Sequence, residues 1–477
     1  MIRLPSTLLK TAALAALLLL APTAFAQNNN GGNNNGGNNN GGNNNGGNNN
    51  NTAPVAGVSI DAQGVLRVLQ PNANLTARKL WAAKQSLPQH LARPSKLRKV
   101  SLNRLEEVVA QKLADGEQLD PEMLAMAGIT RLEYVFFYPE SGDIVIAGPA
   151  EGFAKDSVGR TVGVDSGKPC LQLDDVIVAL RAFAPSSKPT SVISVSIDPT
   201  QEGLARMQKT LAQLGSNFRG PQDIPVIMTA LKQSLGMNDV TIKGVSPSTH
   251  FAHVLTQADY RMKLIGIGNA RPPVPQLVTY ASRMTASVGS NALMRWYFVP
   301  DYEAVTTNTD FTAMKLTGQG LKLVDETEVV TADGQRKSTG RANPASKQYT
   351  VSFTKNFPRI AAVDPVYAEL RNLVDLTVAA AFMQKQEFYQ QAGWDLGVFA
   401  SENSFPVETL PAPRQVETAI NAVMKGRRLI TPIGGGVAIQ AKKALAAENM
   451  KEDDGSIAKQ REAVSVDSLD NNQWWWD

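Results

Sequence analysis

Residues 28–51 read NNNGG four times over and then NNNN, with no charged and no apolar side chain. Such a stretch cannot bury surface to offset the entropy of ordering it. Whatever folds here must therefore fold on one side of it, and the only side long enough is residues 55–447. The tract itself reads as a flexible tether with a mean reach of ~25–30 Å. The competing reading, an Asn-driven β-assembly segment, is weakened by the paired glycines, which disfavour strands.

The segment before the tract carries Arg3 and Lys10, an apolar run over residues 11–21, and Ala24-Phe25-Ala26 ahead of Gln27. A positive start, a short apolar stretch and a small-x-small end are the marks of a cleavable export signal. The run falls short of the ~20 residues a spanning helix needs. The chain is therefore expected to be exported, periplasmic or extracellular, and not an integral membrane protein after cleavage. Removing residues 1–26, which hold those two cations and no acid, lowers the formal charge from +4 to +2.

A near-neutral chain argues against a nucleic-acid partner, since such binders concentrate Lys and Arg on one face. The densest basic stretch is residues 93–104, with Arg93, Lys96, Arg98, Lys99 and Arg104. It is expected to be a solvated segment leading into a helix. Cys170 is the sole cysteine, so no internal disulfide can form and stability must come from burial. Cys170 itself reads as a buried or half-buried thiol ahead of an apolar helix.

Along the body, residues 55–69 and 132–149 read as hairpins, the second around Pro139-Glu140-Ser141-Gly142-Asp143. Residues 101–116 and 173–183 show helical spacing. Residues 191–197 read as a strand. Asp198-Pro199-Thr200-Gln201 reads as a cap, a first-turn proline and a capping-box glutamine of a helix running to Leu214. A helix over 225–235, a strand over 240–245, a helix over 250–262 and a short strand over 264–267 follow. Residues 293–331 are strand-like throughout, and YTVSFT at 349–354 adds one more strand. A long helix is expected from Asp364 to about Gln391, another over 411–426, and two short strands around the glycines at 434–436.

The fold class expected is α+β: a mixed α/β segment plus an antiparallel β region, preceded by a signal peptide and a disordered Asn/Gly tract. The organisation is a signal peptide (1–26), a disordered linker (27–54), a mixed α/β domain (55–290), a β-rich region with a long helix (291–447), and a disordered tail (448–477). That tail ends in Trp474-Trp475-Trp476-Asp477. Three adjacent indoles left in water expose a large apolar area, and burying one gains on the order of 2–3 kcal/mol. They either dock on the chain's own body or anchor a partner or membrane interface.

Only three histidines exist, His90, His250 and His253. The last two lie three residues apart on an expected helix and share a face. With a carboxylate, Asp259 from the same helix or one brought in by the fold, they are candidate zinc ligands, although the HExxH glutamate of metallohydrolases is missing. No GxSxG elbow points to a nucleophilic serine. Ser352-x-x-Lys355 matches an acylation pattern, but in a segment read as a strand and without its partner motifs. No phosphate-binding glycine loop occurs.

The segments YPESGDIVIAGPAEGF, SIDPTQEGLARMQ, HFAHVLTQADYRMKLIG, VYAELRNLVDLTVAAAF and the closing WWWD resemble a family of exported planctomycete proteins containing a domain of unknown function. The resemblance spans roughly residues 95–445 and the extreme end. It implies export and a shared fold, and it brings no activity, cofactor or catalytic residue. The expectation is an exported non-enzymatic envelope protein that binds a protein or polymer partner. The alternative is an exported hydrolase, metal-dependent, around His250 and His253.

Overall fold

The computed structural model describes residues 2–3, 56–214, 221–283, 292–331, 333, 335–338, 343–421, 428–429, 434–462, 469–470 and 472–477. Apart from residues 2–3, the expected signal peptide and the Asn/Gly tract lie outside them.

The α+β expectation holds: two large mixed sheets pack with helices. The N-terminal strands β1 (Val58–Ile60) and β2 (Val65–Val68) form the first expected hairpin. Helix α1 (Ala73–Ser86) follows, then strand β3 (Ser95–Ser101) and helix α2 (Leu102–Ala114). The second hairpin is β4 (Tyr134–Tyr138) and β5 (Asp143–Ala150), its register running from Tyr134 opposite Ala147 to Tyr138 opposite Asp143. A small ribbon, β6 (Phe153–Lys155) with β7 (Thr161–Gly163), leads to helix α3 (Leu173–Ala182).

Strand β8 (Ile193–Pro199) comes next, with helices α4 (Gln201–Leu214) and α5 (Ile224–Leu235), strand β9 (Met237–Lys243) and helix α6 (His250–Gly266). Strands β10 (Ala292–Asp301), β11 (Ala304–Thr307), β12 (Ala313–Thr317), β13 (Gly320–Val330) and β14 (Arg336–Ser338) form the antiparallel stretch the sequence announces. Helices α7 (Pro344–Val363) and α8 (Pro365–Lys385) follow. The chain closes with β15 (Gln415–Glu417), β16 (Gly434–Ile439), β17 (Met450–Glu452), helix α9 (Ser456–Glu462) and β18 (Trp475–Trp476).

The nine-stranded sheet runs β14-β13-β10-β16-β8-β9-β15-β2-β1, and the seven-stranded sheet β17-β11-β12-β4-β5-β3-β18. Both draw strands from each side of the boundary expected at 290/291, and one large core cluster extends from Ala56 to Trp474. At its middle lies α8, buried on nearly every face from Val366 to Met383. A helix apolar all round has to be enclosed. Two of the polar groups it carries inward are held directly: Glu369 meets Arg160, and Asn372 donates to the Thr130 carbonyl at 3.1 Å.

Several local expectations are corrected. Residues 349–354 are helical, inside α7, because Asn343 caps that helix by accepting from Ala345 and Ser346 and Pro344 opens it. Tyr349 and Phe353 then share the buried face while Val351 stays 52% exposed. Residues 264–266 continue α6 rather than forming a strand. The cap of α4 is Thr200, whose hydroxyl accepts from Gly203 at 2.9 Å, since β8 runs on through Pro199. Asp198 instead pairs with Arg295.

The helix expected over 411–426 is absent among its described residues. Val416 is drawn into the nine-stranded sheet between β9 and β2, and the sheet outweighs the local pattern. The helix expected to reach Gln391 ends at Lys385, with a separate short turn at Phe388–Ala392. The basic segment 93–104 is no solvated lead-in: Arg98 and Lys99 lie in β3 and are enclosed. The tail contributes β17, α9 and β18.

Candidate functional site

The candidate zinc ligands His250, His253 and Asp259 all lie on α6, whose opening is capped by the Thr249 hydroxyl. Nine residues at 3.6 per turn make two and a half turns, so Asp259 faces away from His250. Each is engaged separately. The Asp175 carboxylate of α3 lies 2.8 Å from His250 Nδ1. His253 Nε2 donates to the Pro411 carbonyl at 2.8 Å, and Asp259 pairs with Lys263 at 2.7 Å. Among the described residues, no three His, Cys, Asp or Glu side chains are placed to hold a metal ion.

The titrations diverge with the surroundings. Burial pulls the His250 imidazole down, but the adjacent Asp175 carboxylate outweighs it and lifts the group to about 9. A base already protonated at neutral pH is poorly poised to accept a proton. Burial drives His253 down to about 4 and Asp259 up to about 6. Cys170 is enclosed as expected, and burial pushes its thiol up, away from the reactive thiolate.

The three terminal tryptophans were candidate partner anchors, and the structure places them on the chain's own sheet. Trp475 and Trp476 pair with Val100 and Lys99 as the edge strand β18. Trp474 and Trp476 are each 4% exposed, so two of the three rings have no surface left to offer. The Arg98 guanidinium lies over the Trp475 ring at 4.4 Å and takes the Asp477 carboxylate.

A different surface is left open. Helix α7 is fixed inward by Tyr349, whose hydroxyl donates to the Met262 carbonyl at 2.7 Å, and by Phe353 and Phe357. Its outward ridge, at steps of four residues, presents Lys347, Val351, Lys355 and Arg359, all exposed. The segment ending in the short helix Tyr280–Arg283 runs alongside it. The Val278 amide donates to the Ser352 hydroxyl at 3.0 Å, and Tyr280 packs edge-on against Trp296, on which Tyr349 of α7 also packs, so the two walls are tied together. Between them lies an open groove of about 650 Å³, within the roughly 300–1,000 Å³ of ligand sites.

The charge of this groove is one-sided. Arg283, Lys347, Lys355 and Arg359 line it, and among the described residues no acid does. Helix α7 holds no Asp or Glu at all. Among the described residues none of these four cations forms an ion pair. Ser352 and Lys355, singled out as an acylation pattern, stand on a helix after all. They sit well inside it rather than at its opening, and no bond joins them. What the pair contributes is a wall of the groove.

Sequence reasoning missed the groove because it is assembled from residues 276–283 and 347–359, the second half of which reads as a strand. The signal present was the absence of acids from both segments.

A family model described as a protein of unknown function (DUF1598) matches residues 195–280, which run from β8 through α6 to the near wall of the groove. No curated protein and no solved structure matches the chain. Among the described residues, no helix is long and apolar enough to cross a membrane.

Proposed function

We propose that the chain is an exported, non-enzymatic envelope protein that binds an anionic partner, and that the α7 groove is where it does so. The observation that carries the reading is the set of four cations facing one groove with no counter-charge among the described residues. Unpaired positive charge around a concave surface raises the local concentration of anions. The rest of the chain is close to neutral, so the effect is local and not a general stickiness. Export rests on the N-terminal segment, with its two cations, short apolar run and Ala-Phe-Ala end.

Two measurements test this. N-terminal sequencing of the native protein should begin at Gln27; a start at Met1 in the cytosol would remove the export half. Immobilised dextran sulfate should retain the purified protein at low ionic strength and release the Lys355→Glu/Arg359→Glu variant. Failure of the parent protein to be retained would remove the binding half.

A further inference from the structure

We infer that the anionic partner is an acidic polysaccharide, held as a chain of hydroxylated rings bearing carboxylates. The inference rests on the groove being a binding site for anions and asks what else its walls provide. Between the cations stand three amides, Gln276, Gln348 and Asn356. A ligand recognised by charge alone, such as polyphosphate, needs only donors. An amide side chain both donates and accepts, and a hydroxyl group needs both. Gln276 and Gln348 are exposed and have no hydrogen-bond partner among the described residues.

The spacing suits an extended polymer rather than a small ion. Lys347 and Lys355 are eight residues apart on α7, about 12 Å along the axis, and Arg359 stands about 6 Å further on. A single carboxylate reaches one of them; a repeating anion reaches all three and Arg283 across the groove. Arg283 and Arg359 bring planar forks suited to carboxylates. Val351, 52% exposed between Lys347 and Lys355, gives the apolar face of a sugar ring a place to rest.

The competing macromolecules are less well served. Single-stranded nucleic acid is held by aromatic rings on which bases stack, and among the described residues no aromatic side chain lines the groove. An acidic peptide would satisfy the cations but carries no hydroxylated repeat for the amides.

The test compares the full folded protein with polygalacturonate oligosaccharides, polyglutamate of matched charge and a DNA oligonucleotide, by calorimetry. Polygalacturonate should bind at least tenfold more tightly than the other two. The Gln276→Leu/Gln348→Leu variant, altered only at exposed positions, should lose about tenfold for polygalacturonate and keep its polyglutamate affinity. Equal or tighter binding of polyglutamate or DNA overturns the polysaccharide assignment and leaves the anion groove standing. An unchanged polygalacturonate affinity in the amide variant also overturns it. No binding of any of the three overturns both.

Discussion

Arg98 and Asp477, 379 positions apart, form a two-pronged ion pair: Arg98 Nε lies 2.7 Å from one carboxylate oxygen and Nη2 2.9 Å from the other. Arg98 is wholly enclosed, and its remaining donors reach the Ala127 and Arg93 carbonyls. The tail thus neutralises a charge that it also helps to cover. Removing one partner of a buried pair leaves an uncompensated charge and costs about 3–5 kcal/mol. Asp477 is itself partly exposed, so water screens some of that cost.

Asp477→Asn should accordingly destabilise the protein by about 2–3 kcal/mol in denaturant unfolding. The Arg98→Met/Asp477→Leu double change should cost less than Asp477→Asn alone, because no charge is then stranded. A cost below about 0.5 kcal/mol for Asp477→Asn, the scale of an exposed pair, would show that the tail does not dock in this way.

The two α6 histidines should titrate in opposite directions, which imidazole NMR resolves directly in a protein with three histidines. His250 should titrate near 9 and His253 near 4. With an unfolded value of ~6.5, the raised His250 contributes stability that is fully present below 6.5 and is lost as pH rises towards 9. The depressed His253 acts the other way: the unfolded chain takes up a proton as pH falls below 6.5 and the folded one resists until about 4, so stability drops across that window. Asp175→Asn should lower the His250 midpoint, since the largest counterweight to burial is removed and only the Glu369 and Asp174 charges remain. A midpoint that stays near 9 would show that Asp175 does not hold it.

Gly435→Ala should be among the most damaging single changes in the sheet. Gly435 has φ +118°, and an added Cβ would meet the Trp296 backbone at 2.0–2.7 Å. Parallel pairing of β10 and β16 leaves no room for it to move away. Strain and overpacking together should cost about 3 kcal/mol. A thermal or denaturant midpoint within error of the parent would contradict the close approach.

Much of this architecture is legible in the sequence where short-range pattern and long-range packing agree. Residues 134–150 are two apolar runs on either side of a turn and form the expected hairpin; Gly236 ends α5 where its position announces it. Residues 349–354 fail because Tyr349, Val351 and Phe353 fit a period of two, while Tyr349 and Phe353 alone fit a helix equally well. The cap at Asn343-Pro344 was the decisive local signal. Residues 411–426 fail for the opposite reason: the local pattern is helical, and Val416 is claimed by strands from distant parts of the chain. Asp259 lies out of phase with His250 along one helix, which the spacing alone shows only once the helix is known. The groove depends on two segments meeting, and no local pattern encodes that.

The salt dependence of polyanion binding tests the groove most directly. With four cations neutralised, the logarithm of the affinity for a flexible polyanion should fall against the logarithm of salt with a slope of about −3. Lys355→Glu/Arg359→Glu should flatten that slope by at least about 1 and weaken binding at low salt at least tenfold. An identical slope and affinity in the parent and the charge-reversed protein would place the anion elsewhere on the molecule.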